Sequence, residues 1–404
     1  MTAETVHTEL PPLPTTRPNP FDPPADYARL REEAPISRHV WPNGVEAWLV
    51  TRHADVRALL SDTRLSVNRF ASPPPSLSLG RGSGVMLPKS LIGMDPPEHT
   101  PRRQLYVREL TVRKILRLKP RIEAIVDSLV DDVARHDPPV DLVETFCQPI
   151  PSLVICELLG VPVEDRADFQ KHTQVILGVG SDAGRVQEAT LALMDFMREL
   201  VEYRRREPGD DILSRLATAE VDGGPLSVEE LVGHGMLLLI AGHETTANMI
   251  ALSVITLLSH PPALAALRAD PAGTAARAVE ELLRYHAVIQ FGLVRKATAD
   301  IPIGDVMIRA GDWVVCSLAS ANRDGRACPH ADQLDIHRPP ARQVSFGHGV
   351  HQCAGQNLAR VEVQVALTRL FARFPNLRPA VPFDSLPFRT DAWVYGLREL
   401  PVTW

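Results

Sequence analysis

Cysteine is scarce in this chain: five residues in 404, at Cys147, Cys156, Cys316, Cys328 and Cys353. They are too few and too scattered for a disulfide framework, so a reducing compartment is expected. There is no surplus of positive charge. The formal net charge is −6, which argues against a nucleic-acid partner. The amino end, MTAETVHTELPPLPTTRPNP, lacks the basic start and apolar stretch of a targeting signal. An uninterrupted membrane-length run is also missing. The longest apolar tract, 236–258, is broken by His243, Glu244, Thr245, Thr246 and Asn248, and an acid at mid-bilayer is costly. No membrane association and a cytoplasmic location are therefore expected. The glycine-rich run Gly80-Arg81-Gly82-Ser83-Gly84 lacks the strand–turn–helix setting of a dinucleotide site.

What is present is ordinary globular material, 45% apolar and 23% charged, with abundant proline, 36 residues. Residues 1–24 read as an irregular proline-rich arm. The pattern predicts a strand over 47–51 and a helix over 54–60. A Pro/Ser/Gly-rich stretch follows at 69–90, and loops of that length inside compact domains are often functional. From 98 to 258 the pattern is mainly helical, with apolar residues at three- and four-residue spacing in 112–134 and 189–206. Ser227-Val228-Glu229-Glu230 opens a long helix with a capping-box pattern, and Pro261-Pro262 stops it. Further helices are predicted over 276–284 and 356–374, with a hairpin turning at Gly304-Asp305. No repeat and no linker divides the chain. The expectation is one domain over 1–404, mainly α with small β-sheets.

Four constellations carry possible chemistry. The sharpest is Phe346-Gly347-His348-Gly349-Val350-His351-Gln352-Cys353-Ala354-Gly355, leading straight into a helix. A cysteine at a helix N-terminus sees free N–H groups and the positive end of the dipole, and both favour the thiolate. Gly347, Gly349 and Gly355 allow tight turns and close approach of a flat partner. Phe346 can shield the sulfur. A metal held by one thiolate suits such a site, haem iron above all. A lone cysteine is also commonly a buried small hydrophobe. His348 and His351 would permit zinc, although a fourth ligand is not evident.

The second is Ala241-Gly242-His243-Glu244-Thr245-Thr246 in mid-helix. A glycine is costly there, and a threonine hydroxyl can bond back to a carbonyl and bend the helix. Together they would open a groove for a small ligand and water, with Glu244 and Thr245 offering a carboxylate and a hydroxyl for proton delivery. A helix-packing notch is the plainer alternative. The third is Glu281-Leu282-Leu283-Arg284, which alone would be an ordinary surface pair. The fourth is Asp95-Pro96-Pro97-Glu98-His99-Thr100-Pro101-Arg102-Arg103, where His99 and Arg103 lie one helical turn apart. Arg295 follows an extended stretch and is a further cation.

The ten-residue cysteine pattern resembles the haem-binding loop of the cytochrome P450 superfamily, and the resemblance extends over nearly the whole chain. It is nearest to soluble actinobacterial members. It implies the P450 fold, with haem b (iron protoporphyrin IX) between the long oxygen-binding helix and the cysteine loop. Cys353 would be the axial iron ligand. His99, Arg103, Arg295 and His351 would be partners of the haem propionates. Ala241, Gly242, Phe346, Gly347 and Gly355 would border the cofactor. Glu244 and Thr245 match the acid–alcohol pair of oxygen activation. Glu281 and Arg284 match the Glu-x-x-Arg lock, with Arg338 as its third member. The sequence departs from many relatives at Gly325 after Asn322-Arg323-Asp324, at Gln343, and at Pro101.

The implied activity is a haem-thiolate monooxygenase that hydroxylates or epoxidises an apolar organic molecule, a polyketide or macrolide first among the choices. It would use O2 and electrons from a separate ferredoxin and ferredoxin reductase, docking near Cys353, with Arg102 and Arg360 as candidate docking cations. A monomer is expected. The pocket would be lined by 70–91, 175–184, 237–249 and 288–293. A haem-thiolate peroxygenase, or a haem-binding sensor without catalysis, are the rivals.

Overall fold

A computed structural model describes residues 10–41, 44–68, 91–177, 183–221, 223–340 and 342–404. Most of 70–91 and part of 175–184, two of the expected pocket segments, lie outside the described residues.

The centre of the molecule is the helix Val228–Ser259. Its start is the expected capping box: the Glu230 amide donates to Ser227 Oγ (3.1 Å) and the Ser227 amide donates to Glu230 Oε2 (3.1 Å). This helix is long and apolar enough to cross a membrane, yet 67% of its most apolar stretch is buried inside the protein. It is therefore a core helix. Against it pack Pro149–Leu159, Pro271–His286 and Gln356–Arg373, and Val112–Ala134 packs in turn on Gln356–Arg373 and Pro149–Leu159. Val112–Ala134 buries Ile115, Ile122, Val126, Leu129, Val130 and Val133, the inward stripe of an amphipathic helix. A second apolar cluster forms where Ala183–Arg206 crosses the amino half of the central helix, around Leu193, Met197, Leu231 and Met236.

The expected strand and helix appear as Glu46–Val50 and His53–Ser61, and the hairpin as Ile301–Ile303 with Val306–Ile308. The main sheet has five strands. In order they are Ile36–Val40, Glu46–Val50, Trp313–Cys316, Leu293–Ala297 and Leu65–Ser66. Trp313–Cys316 runs parallel to Glu46–Val50 and antiparallel to Leu293–Ala297. The described part of the amino-terminal arm is irregular, as expected, but not loose. Pro12 bridges to Val40, Leu13 is buried, and Arg17 lies over the Tyr395 ring at 3.9 Å.

Two buried histidines give the fold an acid sensitivity. His234 Nδ1 lies 2.6 Å from the Tyr106 hydroxyl, and His286 Nε2 lies 2.6 Å from Thr256 Oγ1. Burial brings His234 down to about 4. Burial, then neighbouring Arg323 and Arg17, hold His286 well below its ordinary value. Both are neutral in the fold, whereas in the unfolded chain they titrate near ~6.5. Their contribution is complete above that value and is lost as pH falls toward 4, at up to about 1.4 kcal/mol per pH unit for each group. Thermal melts from neutral pH downward should show Tm dropping progressively. A flat Tm over that window would contradict the burial assignment.

Candidate active site

The cysteine loop is built from its glycines. Gly347 and Gly349 both have positive φ, 71° and 74°. A side chain at Gly349 would also collide with the backbone of Leu60 and Ser61. These turns bring the Cys353 amide to donate to the Phe346 carbonyl (2.8 Å), closing the loop just before Gln356–Arg373 begins. Cys353 is the one exposed cysteine of the five. The residue is exposed, yet its sulfur lies deep in the fold. That depth pushes its thiol up, while the Gly355 and Gln356 amides and the Arg103 and Arg360 charges pull it back toward the thiolate. Phe346 lies beside it in the loop, capped by the Arg360 guanidinium 4.6 Å above the ring.

A nitrogen-rich cluster stands next to this sulfur. The His99 and His351 rings are 4.2 Å apart. Arg103 donates to the Gln352 carbonyl, and Arg295, on strand Leu293–Ala297, lies close enough to repel a proton from His351. Burial, then Arg103, brings His99 to about 4. Burial, then His99, Arg295 and Arg103, brings His351 to about 3. His99 Nε2 is buried without a hydrogen-bond partner. Four basic side chains so arranged fit a partner carrying two negative charges, which would satisfy the orphaned nitrogen and relieve the repulsion. Among the described residues no group of three or more His, Cys, Asp or Glu gathers to hold a bare metal ion. The lone thiolate donor thus fits a metal whose other ligands come with a cofactor, and the zinc alternative is not supported by the ligand set.

The His99–Glu109 helix, which carries His99 and Arg103 of this cluster, is pinned to the central helix. Arg102 Nη2 donates to Glu230 Oε1 (2.9 Å), one turn before the Tyr106–His234 contact. Burial pushes Glu230 up, but the Arg102 and Ser227 donors outweigh it and bring it down to about 2.

In the middle of the central helix, the Thr245 hydroxyl donates to the Ala241 carbonyl (2.8 Å), the back-bond anticipated from the motif. Ala241 is exposed although it sits at mid-helix, and Glu244 and Thr245 are half-buried. A side chain at Gly242 would meet the tip of Ile155 of Pro149–Leu159 at 2.9 Å, so this glycine lets the two helices pack closely, in line with the packing alternative weighed from the sequence. Glu244 forms an ion pair with Arg389, a partner 145 residues away that sequence spacing gave no way to find.

Behind the cysteine loop, Glu281 and Arg284 are 4% and 1% exposed. Arg284 donates twice to Glu281, through Nε to Oε2 (2.7 Å) and Nη2 to Oε1 (2.8 Å). Arg338 adds a third contact, Nε to Oε1 (3.2 Å), and the Asp335 amide a fourth (2.9 Å). The remaining Arg284 and Arg338 donors reach the carbonyls of Asn322, Pro329, His330, Ala331 and Gln333. Ser345 Oγ donates to the Leu283 carbonyl (2.7 Å), and Asn322 Oδ1 accepts from the Val344 amide (2.8 Å). The lock is thereby tied to the entrance of the cysteine loop.

The family model for cytochrome P450 matches residues 27–272 and 274–382. The chain belongs to the cytochrome P450 family. It is 44% identical over 393 residues to pentalenic acid synthase of Streptomyces avermitilis, covering 97% of each chain. It is 42% identical to mycinamicin VIII C21 methyl hydroxylase of Micromonospora griseorubida, covering 94% of this chain and 96% of that one. Among solved structures, cytochrome P450 MoxA of Nonomuraea recticatena superposes with a TM-score of 0.91 at 43% identity, covering 97% of this chain and 98% of that one. As a P450, the protein is a haem-iron monooxygenase that takes O2, an organic substrate and electrons from redox partners.

On this P450 the candidate docking cations Arg102 and Arg360 are half-buried, and each already holds an acid of its own chain. Arg102 pairs with Glu230, and Arg360 pairs with Glu280 beneath the Phe346 ring contact. Glu280 also accepts from Gln343 Nε2 (3.4 Å), whose Oε1 accepts from the Ser345 amide (2.6 Å). The departure at Gln343 therefore keeps a polar link between the cysteine loop and the Glu-x-x-Arg helix. The P450 also has contacts that no local motif announced. Gln290 Nε2 donates to the carbonyls of Thr390 and Ala392 (both 2.9 Å), clamping the carboxy-terminal hairpin to the segment after the lock.

Proposed function

We propose that this P450 oxidises an apolar secondary metabolite, with a polyketide or macrolide as the first choice, using haem b ligated by Cys353. The reading rests above all on one juxtaposition: a single cysteine on a glycine-turned loop beside the His99, Arg103, Arg295 and His351 cluster. Those four side chains would hold the haem propionates, and Cys353 would supply the thiolate that holds the iron. A thiolate-ligated haem, when bound, activates O2 so that one oxygen atom enters the substrate and the other leaves as water.

The chain's own part is to position groups and deliver protons. Gly347, Gly349 and Gly355 would leave room for a flat cofactor beside the loop, and Phe346 would shield the sulfur. Ala241, exposed at mid-helix, would border the cofactor too. Thr245, whose hydroxyl bonds to the Ala241 carbonyl, and Glu244, the residue before it, would supply the hydroxyl and the carboxylate that hold and move protons on this side of the site. Electrons would come from a ferredoxin and its reductase. Support for the substrate class comes from relatives named as a mycinamicin hydroxylase and a pentalenic acid synthase, and from apolar residues such as Leu237, Leu238 and Val288 in the expected lining. A cytoplasmic monomer completes the reading.

Thr245→Ala tests it. The variant should retain haem and consume reducing equivalents, but release them as hydrogen peroxide. Product per electron pair should fall by about tenfold or more, within what a positioned proton donor contributes. Unchanged coupling would remove Thr245 from the relay. A natural-product library screened by shift of the haem absorption band should yield macrolide-like hits. Hits confined to small polar molecules would contradict the substrate class.

A further inference from the structure

Arg389 has no role in the reading above, yet it makes the contact that fixes the proposed proton donor. It sits on a carboxy-terminal hairpin closed by the Phe388–Leu397 bridge and by the Arg389 amide donating to the Gly396 carbonyl (2.9 Å). Its side chain is 9% exposed and pairs with the Glu244 carboxylate. The same hairpin touches the central helix again one turn later. A side chain at Gly396 would collide with Asn248, and Asn248 Nδ2 donates to the Glu244 carbonyl (2.8 Å). The hairpin thus grips residues 244 and 248, an i,i+4 pair on one helix face.

The hairpin itself is rigidly seated. The Gln290 amide donates to the Trp393 carbonyl (3.0 Å) and the Tyr395 amide to the Val288 carbonyl (2.8 Å). Gln290 Nε2 holds two more hairpin carbonyls, and Arg17 Nε donates to Gln290 Oε1 (3.2 Å). On its other side the ion pair borders a small polar cavity lined by Gln148, Gln174, His243, Glu244, Ala247, Asn248 and Arg389. His243 Nδ1 and Arg389 Nε are buried there without hydrogen-bond partners. A polar cavity with two orphaned nitrogens and a carboxylate is the setting in which ordered water is held.

We propose that Arg389 is the positioning residue for Glu244: it holds the carboxylate at the edge of this polar cavity, so that protons reach Thr245 from the cavity side by way of Glu244. The inference rests on the acid–alcohol reading of Glu244 and Thr245. The hairpin's clamp on 288–290, part of an expected pocket-lining segment, places substrate contact and proton supply on one rigid unit. Arg389 itself is not assigned contact with the reacting atoms.

The test compares Arg389→Gln, Arg389→Lys, Glu244→Gln and the double variant as full-length holoenzymes. Each is driven by a ferredoxin and its reductase with 7-ethoxycoumarin as a generic apolar probe. The readouts are hydrogen peroxide released per electron pair and, separately, amide exchange protection across 388–397. Glu244→Gln should raise the peroxide fraction several-fold. Arg389→Gln should do nearly the same while leaving hairpin protection unchanged. Arg389→Lys should restore most of the coupling, and the double variant should be no worse than Glu244→Gln alone, as expected for two residues acting through one step.

Wild-type coupling in Arg389→Gln would overturn the proposal while leaving the relay intact. A double variant clearly worse than Glu244→Gln would overturn it too. So would lost hairpin protection, which would make Arg389 a purely structural residue. Wild-type coupling in Glu244→Gln would instead sink the acid–alcohol reading, and the proposal with it.

Discussion

Cys353→Ser is expected to leave the loop in place and abolish the thiolate-type carbonyl spectrum of the haem. The loop does not depend on the sulfur for its shape. It is closed by the Cys353 amide donating to the Phe346 carbonyl, by the Gly347 amide donating to the Val344 carbonyl (2.8 Å), and by the positive φ of two glycines. Serine preserves all of these and replaces a soft donor with a hydroxyl that remains protonated at neutral pH. Haem content should fall, and any haem retained through the His99, Arg103, Arg295 and His351 cluster should lack the thiolate signature. Monooxygenase turnover should be lost. An unchanged carbonyl spectrum would mean that another residue holds the iron.

Glu281→Ala is the second large effect, and it acts on folding. The substitution strips the acid from beneath two guanidiniums, one of which, Arg284, is 1% exposed. Arg284 and Arg338 would keep their carbonyl contacts but lose the charge that compensates them. Removing one partner of a buried pair costs about 3–5 kcal/mol, against a total stability of ~5–15 kcal/mol for a typical domain. The same knot fixes the segment 322–345 leading into the cysteine loop, through Asn322 and Ser345. Little folded protein, and less haem-loaded protein, should be recovered. A normal yield with normal Tm would reduce the network to a dispensable contact. Glu281→Gln, which keeps the shape and removes the charge, should fall between the two.

The parts of this P450 that were legible in its sequence are those set by neighbours in the chain. Ser227 with Glu230, Thr245 with Ala241, Glu281 with Arg284, and the glycines around Cys353 all act over four residues or fewer, or through a local turn. Periodicity found Val112–Ala134 to the residue because its buried positions recur every three to four. The five-stranded sheet was only partly visible. Trp313–Cys316 and Ile36–Val40 are short, and they acquire strand character by pairing with segments far away in the chain.

The same reason hid the partners of Arg102, Arg360 and Glu244. A cation's spacing from its neighbours does not tell whether a distant acid will fold against it. The packing neighbour of Gly242, Ile155, was hidden likewise because it comes from another helix. Arg338 was found only because the family resemblance supplied a search for a third member. The outcome there is denser than the expectation, since Arg338 binds three carbonyls as well as Glu281.

The central claim is that Cys353 holds haem iron through its sulfur. The most direct measurement is the absorption spectrum of the full-length wild-type protein, purified from haem-replete cells, reduced and exposed to carbon monoxide. The account predicts one haem per chain with the carbonyl band characteristic of a thiolate ligand. A colourless protein, or a pigmented one whose carbonyl band is that of an imidazole ligand, would contradict it.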